Sequence, residues 1–404
     1  MNLRDFSRSG HWPTLLSAFL YFDTSFMVWV LIGALGVFLA QEFHLSATEK
    51  GLLVAVPILA GSLLRIPMGV ATDHVGPRRS GMIGLCLTTL PLVWGWLGAT
   101  TLVELFALGT LLGVAGASFA VALPLASRWY PSRYQGLAMG IAGAGNSGTV
   151  LAAFFAPRLA EAFGWRAVFG LALLPVLATL CVYALLARES PSQPPPKRLG
   201  GHLSVLSEAD TWWFSLFYMV TFGGFVGLAS YLPIFFFDQY GLSRVMAGNF
   251  TAFCVLAGSF LRPAGGVLAD RFGGVRTLMV LYAAVGALMF GMSVLPPLRP
   301  ATGLLFLGMS GLGMGNGAVF QLVPQRFHRE IGVATGIVGA AGGFGGFLVP
   351  SILGLFRDLT GSYGSGFLIL TFGAATCLVA LRFLEPNWRP WFAPALAPVR
   401  LDER

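Results

Sequence analysis

Charge is scarce in this chain of 404 residues. Asp, Glu, Lys and Arg together make up 10% of it, against about 25% in a soluble globular domain. So small a charged fraction cannot cover a water-facing surface. Cysteine is scarcer still: Cys86, Cys181, Cys254 and Cys377 are the whole complement. They are far apart and form no CxxC pair, so they read as small apolar packing residues, not as a disulfide framework or a metal site. The five histidines, His11, His44, His74, His202 and His328, fall at or near predicted helix ends, which argues against the axial pairs of a haem-binding redox subunit. Neither a P-loop nor a Ser/His/Asp constellation is visible. No catalytic residue, metal or cofactor is therefore assigned, and the chain is not read as an enzyme. Segments of alternating apolar and polar residues are also missing, which leaves an outer-membrane barrel without support.

Apolar residues make up 56% of the chain and the mean hydropathy is +0.76. Lipid must be the main solvent. A helical span needs about 20 mostly apolar residues, and about twelve such stretches are present: 12–39, 48–72, 80–99, 102–127, 135–162, 166–187, 211–237, 245–269, 277–296, 302–325, 332–356 and 364–384. The sequence enters its first span directly, so that span is expected to act as its own targeting signal.

The formal charge of +8 could point to nucleic acid, but its distribution points elsewhere. With both termini in the cytoplasm, seventeen of the 25 Lys and Arg residues fall in cytoplasmic segments and six in outer loops. That is the positive-inside asymmetry. The basic balance reports a multi-pass protein of the cytoplasmic membrane in contact with anionic lipid, with no nucleic-acid partner.

A polar stretch from Arg188 to about Asp210 contains the run Ser190-Pro-Ser-Gln-Pro-Pro-Pro-Lys-Arg198, which cannot continue a helix and behaves as a stiff linker. It divides the chain into an N-terminal bundle (1–187), a cytoplasmic linker (188–210) and a C-terminal bundle with a short tail (211–404). The two bundles repeat one another. Gly61-Ser-Leu-Leu-Arg65-Ile-Pro-Met-Gly69-Val-Ala-Thr-Asp73 matches Gly258-Ser-Phe-Leu-Arg262-Pro-Ala-Gly-Gly266-Val-Leu-Ala-Asp270, 197 residues on. Gly140-Ile-Ala-Gly143 matches Gly336-Ile-Val-Gly339, 196 residues on. Parallel six-span repeats are a transporter architecture. The loops after spans two and eight carry Asp73, Gly76, Arg78 and Arg79, and Asp270, Gly273 and Arg276. They resemble the GxxxDxxGxRR loop of the major facilitator superfamily, which implies an all-α membrane fold of twelve helices in two pseudo-symmetric six-helix bundles. The aspartate of each loop can pair with arginines or cap a neighbouring helix, so the loops are candidate gating latches.

Nearly every charge lies in a loop or at a helix end. Asp23 in span one, Arg65 in span two and Arg262 in span eight do not. An intramembrane charge costs several kcal/mol and is a functional hypothesis by default. The arginines occupy equivalent places in the repeat, each eight residues before its loop aspartate, about 12 Å along a helix. Two facing cations with one nearby carboxylate leave an electropositive cavity that lacks an anion. Guanidinium groups donate parallel hydrogen bonds to planar oxyanions, and nitrate and nitrite are small, planar and monovalent.

Glycine runs occupy the equivalent spans five (Gly140, Gly143, Gly145, Gly148) and eleven (Gly336, Gly339, Gly342, Gly343, Gly345, Gly346). Such faces let helices pack backbone to backbone and slide. Asn146 adds an amide able to donate to an anion. These runs look like the paired signature sequences of the nitrate/nitrite porter family, a branch of the major facilitator superfamily. Arg65 and Arg262 match that family's substrate-clamping arginines. Tyr218 and Phe222 are similar to its tyrosine-and-phenylalanine segment beside the anion, and Phe119 and Phe26 to further aromatic walls. The resemblance implies alternating-access transport of nitrate and nitrite; a monomer is the default expectation for the chain. Proton-coupled nitrate uptake and nitrate/nitrite antiport both fit, and transport of another small organic anion is a more distant alternative. For Asp23 the resemblance implies nothing. A buried carboxylate can carry a proton in step with a substrate; a static partner of an arginine and a position at the cytoplasmic mouth are equally open.

Overall fold

The structure, a computed structural model, describes residues 3–191, 204–327 and 331–392. Most of the Pro-rich linker, with Lys197 and Arg198, lies outside the described residues, as do His202, His328, Arg329 and the tail from residue 393. Among the described residues all regular structure is helical. Eleven helical segments are long and apolar enough to cross a membrane. The remaining span is the first, which runs in three pieces, Trp12–Trp29, Leu31–Ala34 and Gly36–Glu42. Twelve spans result, as the sequence leads one to expect. Large apolar side chains such as Val103, Leu185 and Phe383 stand exposed around the perimeter, where lipid would solvate them.

Hydrogen bonds define the two faces. Arg128 bonds Asp73, Arg78 bonds the Ala187 carbonyl, and the Arg188 amide bonds Thr14. In the second half Arg326 bonds Asp210 and Glu208, and the Trp388 indole bonds Asp210. These contacts gather the arginine-rich ends of the spans on one face. On the far face spans two and four begin with capping boxes, Ser46 with Glu49 and Thr101 with Glu104. Each box satisfies amides that a helix start leaves free.

The repeat is visible in the backbone. Spans two and eight both stop at a glycine of positive φ, Gly76 (94°) and Gly273 (89°), a conformation that a side chain disfavours. The halves differ in their interruptions. Span five contains a 3₁₀ turn, Ala144–Ser147, whereas its counterpart Ile331–Thr360 is continuous. Span two is continuous over Ala47–Val75, whereas span eight breaks at Leu261 into Arg244–Phe260 and Arg262–Phe272. Pro263 follows Arg262 directly, and a proline inside a helix removes one backbone hydrogen bond.

The halves meet along spans two and eleven and along five and eight. At the far face Lys50 pairs with Asp238 at 2.7 Å, and Asp358 accepts from the backbone amides of Ala47 and Thr48 at 3.2 and 2.7 Å. Arg158 bonds Asn249 at 2.5 Å. Deeper in, Ser62 bonds the Ala340 carbonyl and Arg65 the Gly339 carbonyl. Every hydrogen bond or ion pair between the halves that joins described residues lies level with the arginines or on their far-face side. Beyond them, a Cβ built on Gly140 or Gly336 would meet open space. Among the described residues the halves are therefore bonded at the far face and level with the arginines, and not nearer the arginine-rich face.

Candidate functional site

Arg65 and Arg262 meet at the centre. Their guanidinium carbons lie 5.3 and 5.8 Å from the centroid of one ring, Phe119. Arg65 is 1% exposed and Arg262 9%. Arg65 Nε donates to the Gly116 carbonyl at 3.1 Å and Nη1 to the Gly339 carbonyl at 2.5 Å. Its Nη2 and Arg262 Nη1 are buried without a partner among the described residues. No carboxylate lies within ion-pair distance of either arginine among the described residues. Two buried cations with free donors and no counter-ion are an unfinished arrangement, and a small anion would complete it.

Aromatic rings wall the space. Arg65 also lies over Trp29 at 5.3 Å and Phe222 at 5.0 Å, and Arg262 over Phe320 at 5.8 Å. Tyr218 stacks on Phe222 with planes 9° apart, and Phe320 sits edge-on to both Tyr218 and Phe119. Phe26 contacts Phe22, Trp29 and Phe222. The Tyr218 hydroxyl lies in the field of both arginines. All four aromatic residues expected from the sequence therefore stand at this site. Trp29, Phe22 and Phe320 join them, and they were hidden among 34 phenylalanines and 10 tryptophans. The repeat carried a signal for one of them: Phe22 and Phe26 lie 196 residues before Tyr218 and Phe222.

The glycines divide by surroundings. A Cβ on Gly143 would lie 3.8 Å from the Arg262 guanidinium carbon, and one on Gly339 3.9 Å from Arg65 Nη1. A Cβ on Gly342 would collide with the Tyr218 ring, and one on Gly343 with Ser62 of the other half. Asn146, in the 3₁₀ turn, is fully buried, and neither end of its amide has a partner among the described residues.

Asp23 accepts from Ser147 at 2.6 Å, in the same turn as Asn146. It forms no ion pair among the described residues. It is partly exposed and adjoins Phe22 of the aromatic wall.

The loop residues latch within halves. Asp73 pairs with Arg128 at 2.7 Å; Arg78 holds the Ala184 and Ala187 carbonyls at 3.0 and 2.8 Å. Asp270 accepts from Gln321 at 2.9 Å, in place of an arginine. Arg79 and Arg276 are exposed.

Comparison with known proteins places this geometry in context. Residues 17–350 match the Major Facilitator Superfamily. The "Nitrite extrusion protein" of Bacillus subtilis (strain 168) is 38% identical over 86% of this chain and 87% of its own length. The "Probable nitrate/nitrite transporter NarK2" of Mycobacterium tuberculosis is 36% identical over 89% and 92%. The "Probable nitrate/nitrite antiporter NarK1" of Thermus thermophilus is 33% identical over 88% and 87%. A crystal structure of a bacterial homologue of the human lysosomal transporter Spinster, in an inward-facing and occupied conformation, superposes with a TM-score of 0.66. It does so at 19% identity, over 92% of this chain and 96% of that one, and shows the shared fold.

Proposed function

The chain belongs to the major facilitator superfamily and, within it, to the nitrate/nitrite porters, and on that premise we propose that it carries nitrate and nitrite across the cytoplasmic membrane by alternating access. The observation that carries this reading is the facing pair of buried arginines, one from each half, with unsatisfied nitrogens and no carboxylate partner. A bidentate guanidinium suits a planar oxyanion. Stacked rings make a thin, dry slot in which the attraction is stronger than in water.

Because each half supplies one arginine, the anion also joins the halves. Its charge offsets the repulsion between Arg65 and Arg262 and favours the occluded state. The bundles 1–187 and 211–404 then rock about the site, with the linker 188–210 between them. The arginine-rich face is assigned to the cytoplasm, with both termini, by the positive-inside rule. On that assignment the conformation described is open to the cytoplasm. One chain completes the site, so a monomer suffices, and no catalytic chemistry is called for.

Proton-coupled nitrate uptake is the preferred coupling, because Asp23 places a carboxylate in contact with the turn that holds Asn146. Nitrate/nitrite antiport is the second reading, favoured by the absence, among the described residues, of any other acidic residue from the contacts that line the arginine pair. Nitrate uptake into proteoliposomes with an imposed pH gradient, with and without internal nitrite, tests both. Uptake driven by the gradient alone supports symport; uptake that requires internal nitrite supports antiport; no nitrate uptake in either condition overturns the transport reading.

A further inference from the structure

Asn316 lies in span ten, Leu298–Arg326, and is 1% exposed. Neither its amide nitrogen nor its amide oxygen has a hydrogen-bond partner among the described residues. An amide stripped of water with nothing in exchange is among the costlier features of a folded interior.

Its neighbours fix where it points. Successive residues of a helix advance by about 100°. Gly313 and Gly317 press on span eight, where a Cβ on either would meet the backbone of Gly258 or Arg262. Leu312 and Gly315 press on span seven, against Gly224 and Thr221. Asn316 falls between these two directions, toward the gap between spans seven and eight. Phe320, one turn further on the same side, reaches Arg262, Tyr218 and Phe119. The contact of Gly317 with the Arg262 carbonyl sets the depth of Asn316 level with the arginine. By the repeat offset of 197 residues, Asn316 occupies the place in the second half that Phe119 occupies in the first. Where the first half supplies a ring, the second supplies an amide.

We infer that Asn316 is a further substrate-binding residue, which donates its amide to an oxygen of the bound oxyanion from the C-terminal half as Asn146 does from the N-terminal half. The inference rests on the anion-site reading above and adds a ligand to it. With one amide from each half, an anion of three coplanar oxygens could be held at more than one edge, which would help to separate it from a spherical halide of equal charge.

The test is anion binding by the purified full-length protein, followed as thermal stabilisation by nitrate, nitrite and formate over a chloride background. Asn316→Leu keeps the approximate volume and removes the amide; Asn316→Ala removes it without added bulk, should leucine fail to fold. Both are expected to weaken nitrate binding about tenfold, equivalent to about 1.4 kcal/mol. The melting temperature without anion should stay level or rise, since an unsatisfied amide is removed. Asn316→Gln should recover part of the affinity. Nitrate affinity within twofold of wild type in Asn316→Leu or Asn316→Ala overturns the inference. So does a fall in the anion-free melting temperature with affinity unchanged, which is the mark of a structural amide. If wild type responds to formate and not to nitrate, the nitrate reading fails and Asn316 is judged by the same tenfold criterion on formate. A wild type that responds to none of the three anions overturns both.

Discussion

Arg65 of the first half donates to the carbonyl of Gly339 in the second at 2.5 Å. The repeat supplies the mirror relation: Arg262 of the second half lies against Gly143 of the first, and Gly143 precedes Gly339 by 196 residues. Each half thus sets its cation on the glycine run of the other. Ser62 and Ser259, three residues before each arginine, reinforce the pattern by bonding the carbonyls of Ala340 and Asn146. On the proposed reading, substrate binding and the contact between the moving bodies share one place in the molecule, so an anion there would change both at once.

The glycines should separate experimentally. At Gly143 a Cβ fits at ordinary contact distance from Arg262 and would intrude on the space proposed for the anion. Gly143→Ala is expected to keep its melting temperature and to bind nitrate at least tenfold more weakly. At Gly342 the new methyl meets the Tyr218 ring. Gly342→Ala should lose about 1–3 kcal/mol of stability through overpacking and lose transport with it. Thermal unfolding and nitrate titration of the two variants check this. Equal loss of stability in both would count against the distinction.

Much of this was legible in the sequence because charge is so scarce. With 10% charged residues, Arg65 and Arg262 stand out as intramembrane cations, and the offset of 197 residues pairs them. The loop glycines Gly76 and Gly273 were legible from the repeated loop pattern, 197 residues apart. The aromatic wall was legible only in part: Phe320 and Trp29 carry no mark to separate them from rings that face lipid. Asn316 was missed because amides are uncharged, although Gly313, Gly315 and Gly317 surround it in span ten. The partners of the loop aspartates were also out of reach, since Arg128 and Gln321 come from spans distant in sequence, and only the packing of spans four and ten brings them to Asp73 and Asp270.

Among the described residues Asp23 bonds Ser147 and no arginine, so on the proposed reading its carboxylate would gain and lose a proton without breaking an ion pair. Asn accepts the same hydrogen bond and cannot release a proton. Asp23→Asn is expected to lose nitrate uptake driven by a pH gradient at least tenfold and to retain nitrate/nitrite exchange, both read in the same proteoliposomes. Parallel loss of both modes would assign Asp23 a structural role, and no change in either would favour antiport.

The far face is held by Lys50 with Asp238, each less than one-fifth exposed, and by Asp358 on the start of span two. Asp238→Asn should ease opening on this side. A reporter made by Ala47→Cys, at a position buried in the closed face, should react about two- to fivefold faster with an impermeant maleimide in the Asp238→Asn background, the change expected of a partly exposed ion pair worth up to about 1 kcal/mol. An unchanged labelling rate would show that the pair does not hold the face shut.

The central claim is that Arg65 and Arg262 together clamp a planar anion, and counterflow of labelled nitrate in proteoliposomes measures it most directly. Lysine keeps the charge and loses the guanidinium fork. Wild type should exchange nitrate saturably, with inhibition by nitrite and none by sulfate. Arg65→Lys and Arg262→Lys should each fold normally and lose exchange about a hundredfold, as loss of a charge-assisted hydrogen bond of about 1.5–3 kcal/mol implies at its upper end. Exchange near the wild-type rate in both lysine variants would contradict the clamp.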